Sequence, residues 1–76
     1  MNQSRRILVT GASGYVGGRL VRALLNEDMD VRVFVRDQSK VLGQIWINDV
    51  EVAVGNANNY QETLKALEGV HTAFYL

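Results

Sequence analysis

The sequence predicts an α/β fold, a four-stranded parallel sheet in the order 3-2-1-4 with helices as its connections, and three observations lead there. Short runs of β-branched and other apolar residues alternate with segments of helical period, giving the order β-α-β-α-β-α-β without proline, linker or repeat. The first strand passes through Gly11-Ala12-Ser13-Gly14-Tyr15-Val16-Gly17 straight into an amphipathic pattern, a strand–turn–helix unit. Right-handed crossovers then put strands 2 and 3 on one side of strand 1 and strand 4 on the other, so the sheet's direction of growth reverses beside strand 1.

Each element has its own signal. Residues 5–10 read as a strand whose apolar part, Ile7-Leu8-Val9, is buried on both faces, with Arg5 and Arg6 facing solvent at its start. Between Tyr15 and Glu27 the residues Val16, Leu20, Ala23 and Leu24 recur at helical spacing, with Arg19, Arg22 and Asn26 outside that stripe. Asp30 to Arg36 alternates β-branched residues and carries no turn former, which makes it the second strand. Across residues 38–47, Val41, Leu42, Ile45 and Trp46 fit a short helix that Gly43 weakens by about 1 kcal/mol relative to alanine. Val50 to Val54 is the third strand. Asn59 caps the next helix, Glu62 completes a capping-box-like pair, Tyr60, Leu64 and Leu67 form its buried stripe and Gly69 ends it. Val70 to Leu76 is the fourth strand.

Composition bounds the function. Hydrophobic residues make up 47% and charged residues 21% of the chain, values of an ordinary globular domain, and 76 residues make one small domain, 1–76. Eight basic and eight acidic residues cancel, and no basic stripe stands out, which argues against nucleic acid or an anionic membrane as partner. With no cysteine and one histidine, thiolate and histidine-cluster metal sites are excluded, and no metal ligand set is expected. No apolar run approaches the ~18 residues of a membrane span, and Met1 to Arg6 is polar rather than signal-like, so a cytoplasmic protein is expected. His71 reads as a surface residue at a helix–strand junction, and Trp46 and the other aromatics as core.

The glycine turn carries the chemistry. Gly11 leaves the strand where the chain turns sharply, Gly14 lacks a Cβ where backbone approaches a phosphate, and Gly17 sits one turn into the helix, where a side chain would hold it off the strand. The first N–H groups of that helix, around Tyr15 and Val16, have no intrahelical acceptor and lie at the positive end of the helix dipole, where an anion fits. Topology puts the crevice at the carboxyl end of strand 1, over the same loop, so pattern and topology indicate one nucleotide pyrophosphate site.

The written pattern, Thr10-Gly11-x-x-Gly14-x-x-Gly17, resembles the short-chain dehydrogenase/reductase superfamily in its extended and atypical branches. Together with Val31-Arg32-Val33-Phe34-Val35-Arg36-Asp37, Val52-Ala53-Val54-Gly55-Asn56-Ala57-Asn58 and Ala66-Leu67-Glu68-Gly69-Val70-His71, it looks like the first half of an NmrA-like or epimerase/dehydratase-like member. The resemblance implies a three-layer Rossmann-type sheet, here in part, and a dinucleotide cofactor. NAD-preferring relatives end strand 2 with an acidic residue, whereas Arg36 stands here with Asp37 after it. An arginine pairs with a 2′-phosphate, so the resemblance implies NADP over NAD. As the alternative, Arg36 is a solvated strand-end charge paired with Asp37. Ser13 adds a hydroxyl to a phosphate or bonds its own backbone. Asn56 occupies the place where relatives carry an adenine-binding aspartate, and an amide still accepts from that amino group; it reads equally as a loop residue. The expected cofactor-binding residues are therefore Gly11, Ser13, Gly14, Tyr15, Val16, Gly17, Arg36 and Asn56.

Catalytic members use a Tyr-x-x-x-Lys pair, in which lysine lowers the phenol pKa. Tyr15 is followed at that spacing by Arg19 and Tyr60 by Leu64, so no catalytic residue is expected here and the chain alone should not turn over. Three functions stay open: the cofactor-binding part of a reductase or epimerase-like protein, a dinucleotide sensor without chemistry, and a structural remnant. The bare edge of strand 4 and the sheet face beside it predict a homo-oligomer.

Overall fold

A computed structural model describes residues 5–76, and the polar stretch 1–4 lies outside them. The elements run β1 (Arg6–Thr10), α1 (Tyr15–Asn26), β2 (Asp30–Val35), β3 (Glu51–Val54), α2 (Tyr60–Ala66) and β4 (Thr72–Tyr75), with 3-10 turns at Gln38–Lys40 and Ile47–Asp49. All three strand pairings are parallel and the sheet order is β3-β2-β1-β4, as the crossover rule requires. The central strands read as unbroken apolar runs because both of their faces are covered. Ile7, Val9, Val31, Val33 and Val35 pack with Val21, Val41 and Trp46 on the α1 side, while Leu8, Phe34 and Ala66 form a smaller cluster on the α2 side.

Arg32 interrupts this apolar pattern. It is 8% exposed and points toward α2, where its Nη1 donates to the carbonyls of Ala66 (2.6 Å) and Glu68 (2.9 Å). Its Nε donates to Glu51 Oε1 at 3.1 Å. The guanidinium thus satisfies carbonyls at the negative end of α2 and ties that helix to the sheet. Arg6 extends the network: Nε and Nη2 donate to Asp30 Oδ2 at 3.0 and 2.8 Å, and Nη1 lies 3.1 Å from Glu51. The Asp30 hydrogen bond raises the Arg6 pKa despite an opposing cost of burial. Arg6 is therefore half-buried and paired rather than solvated; Arg5 alone faces solvent as expected.

Three local expectations are corrected. In α1 the inward residues are Gly17, Leu20, Val21, Leu24 and Leu25, whereas Val16 is 65% exposed and Ala23 is exposed. Gly17 must face the loop, and that rotation carries Val21, one turn on, into the core. Residues 38–47 form no α-helix, only 3-10 turns. Asp37 caps a single turn by accepting from the Ser39 N–H and hydroxyl, and every following bond spans three residues: Val41 to Gln38, Gln44 to Val41, Ile47 to Gln44. Without four-residue bonds the nucleus is not propagated, and Val41 and Trp46 are buried while Leu42 and Ile45 stay out. In α2 the buried residue is Ala66, and Tyr60, Leu64 and Leu67 are exposed. The Asn59 cap forms, 3.0 Å from the Glu62 N–H, but Glu62 Oε1 accepts from the Asn56 N–H (2.6 Å) rather than from Asn59.

Arg32→Met keeps an apolar stem but strands two carbonyls and leaves Glu51 to Arg6 alone. Urea unfolding should show a loss of about 2–4 kcal/mol with an unchanged slope, and a loss below about 1 kcal/mol would show that α2 does not depend on the clamp.

Candidate functional site

β1 delivers Gly11 to the carboxyl edge of the sheet at φ +79, a left-handed conformation that suits glycine. The turn closes with the Gly14 N–H donating to the Gly11 carbonyl at 3.1 Å, and Gly14 then serves as N-cap of α1, its carbonyl accepting from Gly18 at 2.9 Å. The glycines differ in what requires them. A Cβ on Gly17 would collide with the Gly11 carbonyl oxygen and lie 2.8 Å from the Ala12 Cα, so the helix sits directly on the loop. A Cβ on Gly14 would meet only the Gly11 oxygen at 3.6 Å, an ordinary contact, and its φ of −86 suits any residue. No side chain caps α1, which leaves its first N–H groups to solvent or a ligand.

A cleft of about 520 Å³ opens beside the loop, lined by Gly11, Ser13, Phe34, Arg36, Asp37 and Lys40. Gly11 and Arg36 also line a neighbouring cleft of about 240 Å³, where they meet Gly55, Asn56, Tyr75 and Leu76. The two form a crevice across the carboxyl ends of β1, β2 and β3. Of the residues expected from the sequence, Gly11, Ser13, Arg36 and Asn56 meet there; Gly14 and Tyr15 line a different cleft, and Val16 and Gly17 line none of these. Val16 is exposed at the start of α1, and Gly17 is buried under the loop.

Side-chain chemistry in the crevice is cationic on balance. Arg36 has no ion-pair partner among the described residues, so it is not paired with Asp37. Asp37 instead accepts two bonds from Ser39, at 2.8 Å from the hydroxyl and 3.0 Å from the amide, and these lower its pKa and keep it ionised. Lys40 is the residue that sequence reading missed. The Asp37-x-Ser39 turn signal would have found it, since that turn folds residue 40 back toward the end of β2. Asn56 Oδ1 accepts from the Asn58 N–H at 2.8 Å, so its amide hydrogens are the part left over. No set of three His, Asp or Glu that could hold a metal ion exists among the described residues, and no described helix is long and apolar enough to cross a membrane.

A parallel sheet in 3-2-1-4 order, with a glycine loop and an uncapped helix start at its topological switch point, defines a Rossmann-type fold. Residues 3–76 match the model of the NmrA-like family, and the chain belongs to that family. It is 44% identical over 73 residues to the sterol demethylase protein B of Methylococcus capsulatus, covering 91% of this chain and 22% of that protein. It is 37% identical over 70 residues to a 3-beta-hydroxysteroid dehydrogenase of Mycolicibacterium neoaurum, covering 92% and 18%. The chain thus spans about a fifth of the length of these curated relatives. Among solved structures, a short-chain dehydrogenase/reductase superfamily protein from Agrobacterium tumefaciens with bound NAD superposes with a TM-score of 0.76 at 32% identity, over 95% of this chain and 20% of that one. A Rossmann-fold NAD(P)-binding family protein from Shigella flexneri superposes at 0.85 and 16% identity, over 97% and 38%.

Gly17→Ala should destabilise the fold by at least about 2 kcal/mol in thermal or urea unfolding, because backbone on both sides of the new methyl must move. Gly14→Ala should leave stability within about 0.5 kcal/mol. Equal losses at both positions would contradict the division between them.

Proposed function

We propose that the chain is the dinucleotide-binding portion, 1–76, of an NAD(P)-dependent short-chain reductase or epimerase-like protein. The carrying observation is that Gly14 lacks a Cβ at a position where neither packing nor φ asks for it, beside an uncapped helix start. A pyrophosphate seated on the loop accounts for both. In this reading Gly11, Gly14, Tyr15 and Val16 present backbone to the pyrophosphate, Gly17 seats the helix, Ser13 reaches a phosphate, and Asn56 meets the adenine with its amide. A bound nicotinamide dinucleotide supplies hydride transfer, and a cytoplasmic setting belongs to the same reading. The residues present fit such a group, and the Agrobacterium relative was crystallised with NAD.

We assign the cofactor as NADP in preference to NAD. Arg36 and Lys40 line the crevice against a single carboxylate, Asp37, whose Oδ1 is taken up by Ser39. Two cations held there without ion-pair partners favour a 2′-phosphate. Calorimetric titration should give NADP binding tighter than NAD by about tenfold, with Arg36→Ala removing most of that difference. Equal affinities that the substitution leaves unchanged would overturn the preference, while Gly14→Val should weaken both cofactors.

The chain is further read as a homo-oligomer formed through β4. Val70 to Leu76 carries no charged side chain, whereas the other edge strand, β3, carries Glu51 with Asp49 before it. Phe74, Tyr75 and Leu76 stand exposed on the uncharged edge, which makes a second copy of β4 its natural occupant. Light scattering over a dilution series should show a dimer that Phe74→Lys dissociates; a monomer at micromolar concentration, unaltered by the substitution, would refute it.

A further inference from the structure

A further cleft of about 240 Å³ opens between α1 and the segment Gln44-Ile45-Trp46. It shares Ser13 with the crevice but includes none of Arg36, Lys40 and Asn56. Its walls carry Arg19 and Arg22, three residues apart in the second turn of α1, and neither has a carboxylate partner among the described residues. Like charges at this spacing repel across a helix face. The helix also runs against its dipole: its first turn holds no acid, its last turn no base, and Glu27 stands at its C-cap. α1 therefore carries uncompensated positive charge where an anion would relieve it.

Two further observations point to a ligand in this cleft. Trp46 is 3% exposed, and its indole Nε1 has no acceptor among the described residues. No buried side-chain nitrogen or oxygen among the described residues lacks a partner, so this N–H keeps an opening, and Trp46 lines the cleft. The indole nitrogen lies beside Gly18, 4.0 Å from where a Cβ on that residue would stand. Gly18 is the second observation. Glycine inside a helix is less stable than alanine, and here no steric demand accounts for it, since a Cβ would meet nothing closer than 3.8 Å. What the missing side chain leaves is a path to the indole N–H. Arg19 is held ready at the lip, its Nη1 donating to the Tyr15 hydroxyl at 3.1 Å and its guanidinium 5.5 Å above that ring.

We propose that this cleft binds a small phosphate-type oxyanion, held by the Arg19 and Arg22 guanidinia and the Trp46 indole N–H, with the Ser13 hydroxyl within its walls. The volume admits a phosphate or a short phosphate monoester but not a dinucleotide. Because Ser13, Gly14 and Tyr15 belong both to this cleft and to the glycine loop, occupancy bears directly on the loop.

Trp46 is the sole tryptophan, so its indole gives a single N–H resonance that reports on the site. Inorganic phosphate titrated into the full chain against sodium chloride of matched ionic strength should produce a saturable shift of that resonance. Arg22→Ala and Gly18→Leu should each weaken the response about tenfold or more while indole dispersion shows the fold intact, and Arg22→Lys should restore part of it. Arg36→Ala should leave it unchanged, and so the outcome does not depend on whether a dinucleotide binds the crevice. Sodium glycerol phosphate reproducing the shift would identify a phosphate monoester site, and phosphate alone doing so a site for the free ion; either supports the proposal. A non-saturable drift, an equal response to chloride, or a response lost in Arg36→Ala overturns it. A response to NADP that inorganic phosphate cannot reproduce also overturns it, because the arginines would then serve the 2′-phosphate.

Discussion

The approach of α1 to the Gly11 carbonyl is the constraint on which the rest of the structure depends. With no side chain at Gly17, the helix axis lies close enough to the loop for backbone to meet backbone, and this sets both the height of α1 over the sheet and its rotation. Height brings Val21 and Leu24 onto Val9, Val31 and Val33, the better buried side of the sheet. Rotation turns Val16 outward and leaves the first turn of the helix, uncapped by any side chain, facing away from the core. One missing Cβ thus serves the core and the loop at once. The adjacent Gly14, by contrast, has no packing reason to be glycine, which is why it speaks for a ligand.

The opposite end of the sheet solves a different problem. A chain of this size buries a modest share of its surface, and here α2 is short and contributes only Ala66 to the buried core. Arg32 compensates by taking two carbonyls of the helix end while Glu51, itself held by Arg6, neutralises and orients it. A lone buried guanidinium would be costly; one that satisfies two acceptors and a carboxylate holds a helix that its own apolar face cannot. The edge position of Glu51 also keeps a charge on β3, so one residue serves both the clamp and the protection of that edge.

The architecture was legible because it rests on features with long reach in a sequence: buried central strands as apolar runs, glycines at a turn, and crossover handedness, which together predicted the sheet order. What was not legible depended on which of two local patterns tertiary contact selects. Val16 and Val21 both suit an amphipathic helix, and only the seating of Gly17 decides between them. Residues 38–47 hold apolar residues at helical spacing, yet the Asp37–Ser39 turn starts a tighter bond pattern that buries Val41 and Trp46, five residues apart, and exposes Ile45 at 80%. Misreading that segment hid Lys40 from the crevice and Trp46 from the cleft on α1. Arg32 was invisible for a related reason, since a charged residue in a strand signals an exposed face unless its partners, nineteen to thirty-six residues away, are known.

Net charge concealed the most. Eight positive and eight negative residues sum to zero, and a sum says nothing of distribution. Every ion pair among the described residues joins Arg6, Asp30, Arg32 and Glu51 at the amino ends of the strands. Around the carboxyl ends and the start of α1, Arg36, Lys40, Arg19 and Arg22 have no such partner, and the carboxylates nearby spend their bonds elsewhere, Asp37 on Ser39 and Glu62 on the Asn56 N–H. A neutral chain thus gathers its ion pairs at the amino ends of the strands and leaves unpaired positive side chains around the carboxyl ends and the start of α1. An open cationic end costs stability through self-repulsion, offset at Arg19 by its bond and ring contact with Tyr15, and an anion beside the helix start would relieve the rest.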